Sequence, residues 1–252
     1  MRTDTPKKSP RPAITASSTL PAKLAAKAKA AEAAAAAAVE QLHSMAEYDR
    51  TGRIPLRDPV VMEKAIGMME IILSMAGMNI ADPSIRDTPK RFLKYLLEYR
   101  NEPDYRSILG TEFDHSQKHA RQQDSITGMV TQHNIPVRMV CEHHLLPALG
   151  KCAIGYIPNG KVVGLSKLAR LVDAVGTKKP SLQERICEEV TDVLQDILEP
   201  KGVIVVMQAE HSCMACRGVN SPGIPTTTSC VRGIFRDVPQ ARSEFFALTR
   251  DM

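Results

Sequence analysis

The chain has 252 residues, 43% apolar and 24% charged, with six cysteines and no tryptophan. That length and apolar content suffice for one sizeable core, or one core with an appendage, and no apolar run approaches the ~20 residues that span a bilayer as a helix. The formal charge of +5 is unevenly spread: residues 1–57 hold ten Lys/Arg against five Asp/Glu, while residues 58–252 balance at twenty-three each. The larger part is neutral overall and carries no sign of a nucleic-acid module, so attraction for a polyanion must come from local clustering. Six cysteines (141, 152, 187, 213, 216 and 230) without a signal peptide argue against a disulfide framework. Metal or free-thiol roles in a reducing, cytoplasmic compartment suit them better.

Residues 1–20 are rich in Pro, Ser, Thr and basic residues, with Asp4 the only acid before Glu32, and read as disordered. Residues 22–46 are dominated by alanine with Lys and Glu interspersed, a composition of high helix propensity. Only Leu24, Val39, Leu42 and Met45 add apolar bulk there, so a frayed single helix or a weakly docked arm is expected. The basic, acid-poor start also has the character of an organelle transit peptide, the alternative to a simple flexible extension. Three regions follow from these shifts: residues 1–57 as an N-terminal extension, 58–120 as a helical region, and 121–252 as the domain that carries the chemistry.

Asp58-Pro59 is a helix start, with a capping residue ahead of proline. Val61, Ala65, Ile66, Met69, Ile72 and Leu73 recur behind it at helical spacing, and Gly77 suits the exit. Thr88-Pro89 repeats the signal, and the second helix aligns Phe92, Tyr95, Leu96 and Tyr99 on one side and Arg91 with Lys94 on another. From Ser125 the pattern turns to strands. Met129-Val130 and Val137–Val140 lead into Cys141, and Cys152–Ile157 is expected to pair with Lys161–Val163 across an Asn159-Gly160 turn. Helices follow from Ser166 to about Val175 and from Ser181 to about Leu198, where Ser181 and Glu184 have the spacing of a capping box. Val203–Met207 is a buried strand, Thr226–Phe235 another, and a last helix runs from about Gln240 to Arg250. The order β-β-α-α-β-β implies an α+β domain with helices against one face of an antiparallel sheet.

Chemistry concentrates in Cys141-Glu142-His143-His144 and, about seventy residues later, His211-Ser212-Cys213. Thiolate and neutral imidazole are the ligands zinc prefers, and three or four must converge on the ion. A turn at Cys141 would bring it to one side with His144, whereas an extended strand would align it with His143. Either arrangement leaves one histidine beside the metal. The competing reading is a closed structural site, because Cys213 and Cys216 form a C-x-x-C pair that would complete a Cys₃His cage with Cys141 and His144.

The stretch from Cys141 to Arg217 carries CEHHLLP, GKCAIGYIPNGKVVGLSKLARLVD, PSLQERI and AEHSCMACRG in that order. Together with RDTPKRFLKYL upstream and TTTSCVRGIF and ARSEFFALTR downstream, it closely resembles the GTP cyclohydrolase I family over roughly residues 60–250. Each motif alone is weak; the ordered set is specific. The resemblance implies a zinc hydrolase that opens the guanine ring of GTP to give 7,8-dihydroneopterin triphosphate and formate. It implies the tunnelling fold, whose exposed sheet edges close with copies of the same chain, and assembly as a toroidal homodecamer.

By the same resemblance Cys141, His144 and Cys213 hold one Zn²⁺ per subunit with a position left open, since attack on purine C8 needs a hydroxide near neutral pH. His143 is then the proton donor at N7, and His211 serves the later proton transfers of ribose opening and Amadori rearrangement. Glu184, with Gln183 as its neighbour, takes the N1–H and exocyclic amine of guanine. Ser166 meets the ribose, and Lys167, Arg170 and Arg217, joined by Arg91 and Lys94 across a subunit boundary, hold the triphosphate. There is no G-x₄-GK[ST] loop, which excludes a switch GTPase.

Three departures from the family pattern stand out: Cys216 in place of a small or apolar residue, Gly176-Thr177-Lys178-Lys179 in place of an aromatic with arginines, and Thr127-Gly128-Met129-Val130 without an acid. Two alternatives share these residues. One is a catalytically silent GTP-binding paralogue with structural zinc; the other is an active enzyme feeding deazapurine synthesis rather than folate or tetrahydrobiopterin. A regulatory partner protein is compatible with either.

Overall fold

The computed structural model describes residues 59–110, 112–114 and 128–250, together with the helical positions Lys29, Ala33, Ala36 and Ala37. The expected disorder of residues 1–20 and most of the alanine-rich helix lie outside the described residues. The chain divides into two compact units, Met1–Leu93 and Lys94–Met252.

In the first unit, helix α1 (Pro59–Met75) starts where Asp58-Pro59 predicts and buries Val61 and Ala65. Gly77, at φ +85°, ends it, with the Met78 amide donating back to the Leu73 carbonyl. Only a residue tolerant of the left-handed region reverses the chain there cheaply. Helix α2 (Thr88–Glu98) begins in this unit and runs across its boundary at Leu93; Thr88 lies one place inside the helix that it was expected to cap.

The second unit is built on helix α3 (Tyr105–Leu109), a short pair of strands β1 (Glu112–Asp114) and β4 (Lys161–Val163), and a four-stranded antiparallel sheet. That sheet has the order β2-β3-β5-β6, from β2 (Val130–Val140), β3 (Pro147–Ile157), β5 (Gly202–His211) and β6 (Pro225–Gly233). Met129-Val130 and Val137–Val140 are ends of one strand, interrupted by a register shift between Gln132 and Ile135 with Asn134 at φ +57°. Such a bulge bends a strand without ending it.

Lys161–Val163 does not pair with Cys152–Ile157 as expected. Both edges of β3 are already taken: Tyr156 lies opposite Val130 on one side and Val203 on the other. The Asn159-Gly160 turn, with Gly160 at φ +87°, therefore sends β4 away to pair with β1. The Tyr156 hydroxyl accepts a hydrogen bond from the Val163 amide (3.2 Å) and so ties β4 to β3 through a side chain.

Helices α4 (Leu165–Gly176) and α5 (Gln183–Leu198) cover one face of the sheet, as the element order predicts. Leu168, Leu171, Val172 and Val175 of α4 and Ile186, Cys187, Val190 and Leu194 of α5 recur at helical spacing and meet alternate residues of the strands, among them Ile154, Tyr156, Val203, Val205 and Met207. Each such side chain contributes roughly 1.5–3 kcal/mol on burial. The intervening residues Ala153, Ile204 and Val206 point to the opposite face. There they pack with Phe235 of α7 (Ile234–Asp237) and with Ala241 and Phe245 of α8 (Pro239–Leu248). Helix α6 (Ser212–Ala215) is a single turn directly after β5.

Ser181 and Glu184 do not form a capping box. The residue before α5 is Leu182, without a side-chain cap, because Ser181 is drawn into the sheet instead. Its amide donates to Val140 O (2.9 Å) and its carbonyl accepts from the Glu142 amide (3.3 Å), as an isolated bridge opposite Cys141. This bridge puts the start of α5 beside the end of β2.

Candidate metal centre and active site

Antiparallel pairing of β3 with β5 sets Ala148 opposite His211, and β2 pairs Val140 with Pro147, so the ends of β2 and β5 converge at one end of the sheet. Cys141 directly follows β2, His211 closes β5, and Cys213 sits in the helical turn that follows. The ligand atoms of Cys141, His211 and Cys213 all lie within 4.8 Å of one another. Tetrahedral zinc with thiolate and imidazole ligands needs donor atoms roughly 3.5–4 Å apart, so two sulfurs and a nitrogen within 4.8 Å could close on such an ion with a small contraction. Cys141 is buried and Cys213 half-buried. Burial, reinforced by the neighbouring Cys141 sulfur and a hydrogen bond with it, pushes the Cys213 thiol above its ordinary pKa. Metal binding here must displace that proton.

After Cys141 the chain forms the turn expected of the first motif. Leu145, at φ +54°, donates to Cys141 O (2.9 Å), and the Cys141 amide donates to Leu146 O (3.0 Å). His143 and His144 lie exposed on this turn with rings edge-to-face, centroids 6.3 Å apart. His144, expected as a ligand from the family resemblance, is not among the three clustered residues, whereas His211 is.

Gln183 organises the neighbourhood. It belongs to the buried stripe of α5 and is 2% exposed. Its Nε2 donates to the carbonyls of Met207 (3.1 Å) and Thr226 (3.0 Å) and lies 3.1 Å from Thr228 Oγ1. Two main-chain acceptors fix which end of the amide faces them, so Oε1 is turned to His211 Nε2 at 2.9 Å. Oε1 can only accept, and His211 therefore carries its proton on Nε2 and keeps a lone pair on Nδ1. Burial holds the His211 pKa below that of a free imidazole, opposed by the nearby Glu184 carboxylate.

Glu184 is exposed beside this cluster, and so is Arg217, whose charge favours the Cys213 thiolate. On the first turns of α4, Ser166 and Arg170 are exposed and Lys167 half-buried, behind Gly164 in extended backbone. Lys94 is exposed on α2 in the second unit. Arg91, in the first unit, is exposed and paired with Asp87 at 3.4 Å. Cys216 is exposed, with its thiol donating to Ser212 O (2.8 Å), and stands outside the three-residue cluster.

At this site the sequence reading missed the pairing of Glu142 with Arg185. Arg185 Nη1 donates to both carboxylate oxygens of Glu142, at 3.1 and 2.8 Å. The signal was present, since each residue lies inside a motif already singled out.

Among the described residues no helix is long and apolar enough to cross a membrane. The family model for GTP cyclohydrolase I matches residues 65–250. The GTP cyclohydrolase 1 of Hydrogenobaculum sp. is 42% identical over 188 residues, covering 75% of this chain and 97% of that protein. Its namesake from Halalkalibacterium halodurans is 43% identical over 195 residues, 75% and 96% of the two chains. That of Brevibacillus brevis is 41% identical over 197 residues, 76% and 98%. Shared motifs, matched length and this identity lead to one conclusion: the chain belongs to the GTP cyclohydrolase I family.

Proposed function

We propose that this chain is a zinc-dependent hydrolase converting GTP and water to 7,8-dihydroneopterin triphosphate and formate, the first step of pterin (tetrahydrofolate or tetrahydrobiopterin) biosynthesis. The observation that carries the reading is the convergence of Cys141, Cys213 and His211 beside the Gln183-Glu184 start of α5. In this reading Cys141, His144 and Cys213 would hold one zinc per subunit, leaving a position open. When bound, zinc supplies the Lewis acidity that makes water a nucleophile near neutral pH.

The chain's own residues do the rest. Glu184 accepts from N1–H and the exocyclic amine of guanine, and adenine lacks that donor pair, so the wrong base leaves a carboxylate unpaired. Lys167, Arg170 and Arg217 hold the triphosphate, together with Arg91 and Lys94 from a neighbouring subunit. His143 delivers a proton to N7 as the imidazole ring opens. His211, its pKa lowered by burial and its ring held by Gln183, uses its Nδ1 lone pair to move protons during ribose opening and rearrangement, with Ser166 at the ribose. Among the described residues β2 and β6 are the outer strands of the four-stranded sheet, which supports closure with further copies of the chain into a homodecamer. A cytoplasmic location and a regulatory partner are consistent with this role.

The test is zinc-loaded protein incubated with GTP, with formate and the fluorescent oxidised pterin both quantified. Equimolar appearance of the two is expected. Tight GTP binding with neither product would instead identify a silent nucleotide-binding paralogue.

A further inference from the structure

We infer that Glu142 and Arg185 form a strut fixing the metal-ligand turn relative to the base-binding end of α5, and that both are positioning residues for the reaction; this rests on the function proposed above. Glu142 directly follows Cys141, and Arg185 directly follows Glu184. The two are joined through both carboxylate oxygens, at 3.1 and 2.8 Å.

Arg185 is unfavourably placed by local rules. It lies in the first turn of α5, which has no side-chain cap, and the helix dipole disfavours a cation there. Glu142 offsets that charge and adds a second acid, beside Glu184, at the helix start. The pair contributes little to stability, since its side chains are 60% and 30% exposed. Its consequence is geometric. The Ser181 bridge ties only the first residues of the turn to α5, at Val140 and Glu142. Beyond Glu142 the backbone bonds of the turn are internal, between Cys141 and Leu145 and between Cys141 and Leu146. The Glu142 side chain is therefore the second tie between the turn bearing His143 and His144 and the helix bearing Gln183 and Glu184.

A purine offers C8 at one end and the N1–H and 2-amine at the other. A site that attacks one end while gripping the other must hold a fixed separation, and a misplacement of about 1 Å can cost on the order of a hundredfold in rate.

The test uses the full chain as Glu142→Gln and Arg185→Met, with Arg185→Lys and the exchange Glu142→Arg/Arg185→Glu as rescue variants. Both single variants should keep full zinc content and the wild-type oligomer, lose about tenfold or more in kcat, and hold KM for GTP within about threefold. The exchange should restore part of kcat. Lysine, which keeps the charge but not the fork, should fall between. A kcat within about twofold of wild type in both single variants would overturn the inference, as would activity lost only in proportion to zinc or assembly. A wild-type protein that releases no formate would overturn the proposed function instead. The strut is then decided by cobalt-substituted protein, in which both single variants should shift the thiolate-to-metal absorption at full occupancy, and unchanged spectra would refute it.

Discussion

The buried amide of Gln183 and the imidazole of His211 share a 2.9 Å hydrogen bond whose direction is fixed from the far side of the amide, by the carbonyls of Met207 and Thr226. A residue on a helix thereby selects the tautomer of a histidine at the end of a strand. Burial adds to this by lowering the ring's pKa, against the opposing pull of Glu184. The site thus holds a proton acceptor at a set position, as the later proton transfers require.

Replacing His143 or His211 by alanine should abolish dihydroneopterin triphosphate formation while leaving GTP affinity within about tenfold, since neither makes a charge contact with bound GTP in this account. Gln183→Met should lower kcat as well, by freeing the His211 ring. Equilibrium binding of a non-hydrolysable GTP analogue beside turnover separates the two effects. A proportional loss of affinity would mean that the histidines serve binding instead.

Zinc content distinguishes an open site from a closed cage. Cys141→Ala, His144→Ala and Cys213→Ala should each lose the metal on dialysis, and Cys216→Ala should keep one zinc per subunit and near-normal turnover. Elemental analysis of the dialysed variants decides this. Zinc loss in Cys216→Ala matching that in Cys213→Ala would establish four-ligand structural zinc.

Cys187 lies in the main core, where burial pushes its thiol from 9.0 up to about 12. An acid whose pKa is raised by folding loses protons first in the unfolded chain, so it leaves stability untouched below pH 9 and lowers it progressively from pH 9 to about 12. Denaturant midpoints at pH 8 and pH 10.5 should show this fall, and Cys187→Ala should reduce its pH dependence. At pH 8, Cys216 should react with a thiol reagent in the native protein, while Cys152 and Cys187 react only after unfolding.

Gly155→Ala should destabilise the second unit by roughly 1–3 kcal/mol. A Cβ there would come within 2.6 Å of the fully buried Phe245 ring and 3.0 Å of Ile204. Thermal denaturation measures the cost. If the clash is its source, Phe245→Leu should cost less in the Gly155→Ala background than in the wild type.

Much of this was legible locally. Asp58-Pro59, the apolar spacing of α4 and α5 and the run Val203–Met207 each declare an element within a few residues. What local pattern could not supply was competition for partners. Lys161–Val163 looks like the second half of a hairpin until β2 and β5 have filled both edges of β3. Ser181 looks like a cap until the end of β2 claims its backbone. At the site, the convergence of Cys141 and Cys213 was readable because zinc restricts its ligands to few residue types. The place of His211 in that cluster and its bond to Gln183 depend on long-range register, and no spacing in the sequence encodes them.

The most direct measurement follows a single atom. GTP labelled with ¹⁴C at C8, incubated with zinc-loaded protein, should release the label as formate, one per GTP consumed, while the pterin product remains unlabelled. Label retained in a nucleotide or in the pterin, with one zinc bound per subunit, would contradict the account.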